Sequence, residues 1–403
     1  MWPTPVLVLF LAFQSNYYER GLKALDEKRY AAAVEEFNNA IAAEPKDFSL
    51  HFNLALAYSL QGKDAEAIPE YKKALEMKPD LYQGQLNLGI SLLREKRGAE
   101  AVPYLAAAVA QKPKEYRPNF YLASALFASA EFAKAEQTYT VALEADPKSP
   151  DAESGLARAL AKQDRIADAA PHFKKAAELN PNYRDGLLEL ASLYEAQKQS
   201  TEAIAIYQQF PDNPGAQERL GELLLASGQA ADAVTHFQAA IAKSPTTANR
   251  AALAAAYLKN KEPEKALPVV EQILATDPNN FDIRMLHGRI LRDQRKFPLA
   301  AQDFFRGTKI KPDSAEAWSE LAGALVLAEE FPSALGALDR VAALHAEKPG
   351  HVYLRAIVLD KINQRKPALE SYERFLGMSN GQSPDEEFKA RQRVRILSRE
   401  LNK

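Results

Sequence analysis

The stretch from Phe48 to Leu81 sets the pattern of the chain. It reads FSLHFNLALAYSLQGKDAEAIPEYKKALEMKPDL. Leu54, Ala55 and Tyr58 recur at i, i+1, i+4, and beyond Gly62 the residues Ala67, Tyr71 and Ala74 recur at i, i+4, i+7. Spacing of this kind puts each set on one face of a helix. The stretch therefore predicts two amphipathic helices joined by a short turn at Gly62 and closed by Pro79. A lone helix of about a dozen residues is marginal in water, and two of them enclose too little core to stand alone. The chain answers by repetition. Pro45, Pro79, Pro113, Pro147 and Pro181 fall 34 residues apart, and the same small and large residues travel with them.

In this register eleven hairpins begin near Gln14, Phe48, Tyr82, Tyr116, Pro150, Arg184, Pro214, Thr247, Phe281, Ala315 and Pro349. A small residue marks each first helix, from Gly21, Ala55 and Gly89 to Ala322 and Ala356. Another opens each second helix, from Ala33 and Ala67 to Ala368, with a bulky residue four positions on, from Phe37 and Tyr71 to Tyr372. Small residues let two helix backbones approach, and the bulky side chain fills the groove beside them. The sixth hairpin, Arg184–Asn213, is about four residues short and ends in FPDNPG. Pro211 cannot continue a helix and Pro214 biases Asn213 away from helical angles. An irregular step is expected there, dividing a front block (residues 16–213) from a back block (residues 214–380). Pro298, Pro332 and Pro367 suit the first turns of second helices, whereas Pro69, Pro103, Pro171 and Pro268 sit deeper.

The period, the L-G/A-x-x-Y/L and A-x-x-x-F/Y patterns and the closing proline together resemble the tetratricopeptide repeat, over roughly residues 14–380. The resemblance implies an all-α fold, a right-handed α-solenoid superhelix of about eleven antiparallel helix pairs. It also implies a concave channel lined by the first helices, on a binding scaffold with no chemistry of its own. In the family's register, hairpins two to four turn Phe52, Asn53 and Leu56, then Leu86, Asn87 and Ile90, then Arg117, Phe120, Tyr121 and Ser124 into that channel. Stacked asparagines resemble those with which some members hold an extended peptide, whose backbone offers both donors and acceptors. The alternative is that Phe52, Leu86 and Phe120 fill the inner wall of a tight superhelix. Later hairpins present charge there instead, including Asp151, Arg158, Glu189, Arg219, Glu222, Arg289, Glu316 and Glu320, which fits a solvated face. Tyr18 and Leu22 stand where the members that bind chaperone tails need Lys and Asn, so that specialised function is rejected.

Composition narrows the picture further. A formal net charge of −2 argues against a nucleic-acid-binding body. The absence of cysteine removes disulfides, thiolate metal sites and a cysteine nucleophile. Val6–Phe13 is an apolar run far too short to span a bilayer. It has the length of a signal-peptide core, and residues 1–15 are read as an export leader, with a periplasmic or secreted destination. No Lys or Arg precedes it and no clean small-x-small site follows, so an apolar tail on a cytoplasmic protein is the competing reading. After the last hairpin, Ser383-Pro384-Asp385-Glu386-Glu387 predicts the start of a final helix, a cap within residues 381–403. Ala390, Val394, Leu397 and Leu401 form its apolar stripe. Arg391, Arg395 and Arg399 form a basic one, read as a solvated face or as a contact for an acidic partner or anionic lipid.

Nothing in the sequence reads as catalytic machinery. The histidines His51, His172, His236, His287, His345 and His351 lack ligand spacing, and those within repeat helices are expected to pack. No phosphate-binding glycine loop or nucleophile elbow occurs. No cofactor and no metal are expected, and no transmembrane span. The reading is a non-catalytic scaffold for a protein or extended peptide. The alternative is an architectural subunit of a bacterial envelope assembly, in polysaccharide export or outer-membrane biogenesis, binding through its ends and outer faces.

Overall fold

The structure is a computed structural model that describes residues 17–402; the expected leader lies outside them. Every regular element among the described residues is helical. The chain divides into two compact units between Ile206 and Tyr207, inside the second helix of the short sixth hairpin. In the first unit α1 (residues 17–26) pairs with α2 (Tyr30–Ala43), α3 (Phe48–Leu60) with α4 (Asp64–Met77), and α5 (Tyr82–Arg94) with α6 (Gly98–Gln111). There follow α7 (Tyr116–Ala128) with α8 (Phe132–Ala145), α9 (Pro150–Ala161) with α10 (Ile166–Leu179), and α11 (Asp185–Ala196) before α12 (Ser200–Tyr207). The second unit continues the plan. It pairs α13 (Pro214–Ala226) with α14 (Ala230–Lys243), α15 (Thr247–Lys259) with α16 (Pro263–Thr276), and α17 (Phe281–Asp293) with α18 (Phe297–Ile310). It closes with α19 (Ala315–Leu327) and α20 (Phe331–Ala343), α21 (Pro349–Lys361) and α22 (Arg365–Ser379), and the final α23 (Pro384–Leu401). Within the first unit the helices from α2 to α11, and within the second those from α13 to α23, pack on their neighbours in sequence, the arrangement of an α-solenoid.

The small and bulky positions meet as their spacing requires. A Cβ added at Gly21 would lie 2.6 Å from the ring of Phe37, at Gly89 2.4 Å from Leu105, and at Gly288 2.7 Å from Phe304. Ala55, Ala123, Ala157, Ala322 and Ala356 are fully buried at the same register. So are the second-helix alanines from Ala33 to Ala368, while the bulky residues from Phe37 to Tyr372 are buried throughout. The core is thus a column one side chain deep, renewed every hairpin.

The ends of the helices explain why the hairpins close. Several first helices start on side-chain caps: Asp47 accepts from the Ser49 amide at 2.8 Å, Ser149 from Ala152 at 3.1 Å and Asn213 from Ala216 at 3.0 Å. They end in a left-handed residue followed by a hydrogen bond back across the last turn, as from the Lys63 amide to the Tyr58 carbonyl at 3.0 Å. Glycine supplies that residue only at Gly62 and Gly228; Lys28, Lys96, Ala130, Asp164 and Glu329 are among those that adopt it elsewhere, with φ between 57° and 61°. Pro69, Pro103, Pro171 and Pro268 lie inside their helices, and Pro298 and Pro332 lie in first turns.

A second device, invisible to hydrophobic patterning, ties five of the hairpins to the loop before them. Six residues after the closing proline, a buried or part-buried donor reaches back to that proline's carbonyl. His51 Nε2 reaches Pro45 at 3.2 Å, Gln85 Nε2 reaches Pro79 at 2.6 Å, and Asn119 Nδ2 reaches Pro113 at 2.9 Å. Arg284 Nη2 does the same to Pro278 at 2.6 Å, and Trp318 Nε1 to Pro312 at 2.8 Å. These carbonyls lie in the loops, outside the helix ladders, and the side-chain donor gives each a partner within the chain. Two of these residues, together with Glu153 and Gln217, pair with the second helix 19 residues on: His51 Nδ1 with Glu70 at 2.6 Å, Arg284 with Asp303 at 2.8 Å, Glu153 with His172 at 2.6 Å, and Gln217 with His236 at 2.8 Å. Burial pushes the Glu70 carboxyl up, but hydrogen bonds from Lys73 and His51 outweigh it and hold the group below its ordinary range.

The final helix caps the second unit, with Ala390 and Leu397 fully buried. Two expectations are corrected here. Leu401 is 43 % exposed and lies off the packed stripe. Ser383 precedes the helix but makes no side-chain cap; the Glu387 carboxylate instead accepts from the Gly381 amide at 2.6 Å and orders the turn. Arg393, outside the stripe read from sequence, anchors the helix by two bonds to Asp360, at 2.6 and 2.7 Å.

Candidate functional site

The residues expected to line the channel fall on α3, α5 and α7 of the first unit, and the structure sorts them into three kinds. Leu86 and Ile90 are 1 % and 6 % exposed. They belong to the core, which corrects their place on an open strip: α5 sits deeper between its neighbours than α3 and α7. Phe52, Leu56, Asn53 and Asn87 are half-buried. Phe52 leans on Tyr71 with ring centres 5.8 Å apart, and the Asn53 amide donates to the Ser49 carbonyl at 2.8 Å and to the Tyr18 hydroxyl at 3.4 Å. Its amide hydrogens are therefore spent within the fold. Asn87 stands beside the Tyr71 hydroxyl, whose pKa burial drives well above its ordinary value while Asn87 acts in the opposite sense.

The third kind surrounds Phe120. Its ring stacks on Tyr116 at 5.5 Å, meets Tyr121 edge-on at 5.3 Å and touches Tyr139 at 6.1 Å. Ser124 donates to the Phe120 carbonyl at 2.9 Å and lies 3.2 Å from the Tyr139 hydroxyl. Arg117 is exposed, 6.0 Å from the Tyr121 ring centre. Tyr116, where the hairpin begins, and Tyr139, its bulky second-helix residue, both pack on the Phe120 ring. Aromatic side chains held rigidly and half open cost little entropy on contact.

The charged positions of later hairpins are occupied with one another. Arg158 Nε bonds Glu189 at 2.9 Å, and Arg289 bonds Glu320 at 2.9 Å and also Glu316. Arg292 joins Glu320, Arg219 joins Glu222, and Tyr183 donates to Asp151. The Arg158 pair links α9 to α11 and the Arg289 and Arg292 pairs link α17 to α19, while Arg219–Glu222 lies within α13; these charges fit the solvated face expected from sequence.

Models described as tetratricopeptide repeat match residues 18–82 and 154–214 in one case and residues 92–159 and 224–290 in the other. The chain belongs to the tetratricopeptide repeat family. A search of curated proteins found no match. Among solved structures, this tetratricopeptide repeat chain is similar to "MamA MSR-1 C2", at 24 % identity over 42 % of this chain and 97 % of that one, with a TM-score of 0.40. It is also similar to "MamA 41-end from Desulfovibrio magneticus RS-1", at 22 % identity over 42 % and 96 %, TM-score 0.40. A third, "MamA AMB-1 C2221", is 26 % identical over 41 % and 98 %, TM-score 0.39. No described helix is long and apolar enough to cross a membrane, and no described group of His, Asp or Glu side chains is gathered as a metal ion would need.

Proposed function

We propose that this tetratricopeptide repeat protein is a non-catalytic scaffold that holds an extended peptide or a partner surface against α3 and α7 of its first unit. The observation that carries the reading is the half-buried Phe120–Tyr121 pair, packed through Phe120 on Tyr116 and on the buried Tyr139 and flanked by the exposed Arg117. Phe120 and Tyr121 would contact apolar side chains of the partner, and Arg117 a polar or acidic group beside them. Phe52 and Leu56 extend the apolar surface along α3. Asn53 serves this reading as a spacer and not as a backbone clamp, because its amide is already engaged.

Quantitative capture of partners by the full chain, read by mass spectrometry, tests the site. Phe120→Ala with Tyr121→Ala should lower capture of the main partner about tenfold or more, and Arg117→Ala should weaken it less. Undiminished capture with helicity intact would remove the site from this face. The run Val6–Phe13 supports export as a second element of the proposal; N-terminal sequencing of the mature protein should then begin near Ser15.

A further inference from the structure

The most exposed large apolar side chain among the described residues is Phe388, 65 % open, on the outer face of α23. Ile396, eight residues on and 40 % exposed, lies on the same face two turns away. Between them stands Gln392, exposed although it falls 34 residues after Val358 and 68 after Ala324, which are both fully buried. At Val358 and Ala324 this register is closed; on α23 it lies open.

The charges on this helix are arranged by position. Glu387, Arg393 and Glu400 are paired within the chain, with Arg391, Asp360 and Arg365. Asp385 at the start and Arg395 and Arg399 towards the end, all exposed, make no ion pair among the described residues. Asp385, Phe388, Gln392, Ile396 and Arg399 follow one another at spacings of 3, 4, 4 and 3. That sequence reads the same from either end in position, with opposite charge at its two ends.

We infer that this face is an interface between two copies of the chain, with α23 packed antiparallel on its counterpart about a two-fold axis at Gln392. The operation sets Phe388 of one copy against Ile396 of the other, twice, and Asp385 against Arg399, twice. An isologous interface requires such self-complementarity. Antiparallel packing also opposes the helix dipoles favourably. A membrane surface explains the arginines less well, because Asp385 and Glu386 share the helix and would be repelled by anionic lipid.

Sedimentation velocity of the full chain at micromolar concentrations tests the interface. The wild-type chain should reach the mass of two copies. Phe388→Ser with Ile396→Ser should weaken the association about tenfold or more without changing far-ultraviolet circular dichroism, since both side chains are exposed. Asp385→Arg and Arg399→Asp should each weaken it singly, and the two together in one chain should restore it. Restoration supports this pairing, because a structural defect would add and not cancel. A chain monomeric throughout the range overturns the inference. So does a dimer indifferent to the serine pair, a double charge reversal no tighter than either single change, or a monomer that sediments with anionic vesicles through Arg395 and Arg399.

Discussion

At the scale of single residues, the energetics concentrate where the repeat leaves no room. Gly89→Ala would drive a Cβ to 2.4 Å from Leu105, so it should destabilise by about 1–3 kcal/mol in urea unfolding. Adding Leu105→Ala should recover part of that loss, because the clash and the cavity occupy the same space. Ala130 holds φ near 60°, a conformation that costs a residue with a Cβ about 1–2 kcal/mol. Ala130→Gly should raise stability by several tenths to about 1 kcal/mol once the entropy of glycine is deducted, and a lowered urea midpoint would contradict this. Burial holds the His236 imidazole below its ordinary pKa, and burial together with Lys348 does the same to His351. The unfolded chain takes up those protons near pH 6.5, while the fold resists them. Stability should therefore be level above that pH with respect to these groups and fall as pH drops from about 6.5 toward 5. Glu70, held low, adds a further loss as pH falls through the carboxylate range. His236→Gln should flatten the upper part of that profile, measured as the urea midpoint against pH.

At the scale of elements, α23 is secured by Arg393 on Asp360. Arg393→Ala should cost about 1 kcal/mol, since the pair is only part-buried, and should raise amide exchange in residues 384–401 first. Hairpin boundaries were legible in the sequence because small and bulky residues recur at fixed offsets, and the early end of α12 before FPDNPG was legible because proline leaves few options. The clasp onto the proline carbonyl was not. His51, Gln85, Asn119, Arg284 and Trp318 share neither charge nor shape, only a hydrogen to give. The signal lay in their common offset from proline, which appears only when the chemistry is read as donor or non-donor. The candidate face was half legible: the register implied by the repeat family placed Phe120 and Tyr121 on one side of α7. It could not show that Leu86 and Ile90 are covered, because their depth depends on how neighbouring helices stack.

At the scale of the whole molecule, a core one side chain deep makes stability a sum of neighbouring terms. Gly89→Val should accordingly raise amide exchange in residues 48–145 while leaving residues 281–359 within experimental error of wild type, and a uniform rise would show longer-range cooperativity than a linear array allows. The proline clasp also decides how such an array can be lengthened or shortened. Its two halves lie on opposite sides of the loop between hairpins, with the carbonyl in the outgoing segment and the donor in the incoming one. A cut at that loop, the obvious seam, severs the pair and leaves its donor and acceptor without each other on the joined pieces. A cut at the left-handed turn inside a hairpin keeps every proline with its own donor. The transferable cassette of this protein is therefore a second helix followed by the next first helix, out of phase with the hairpin that the eye picks out.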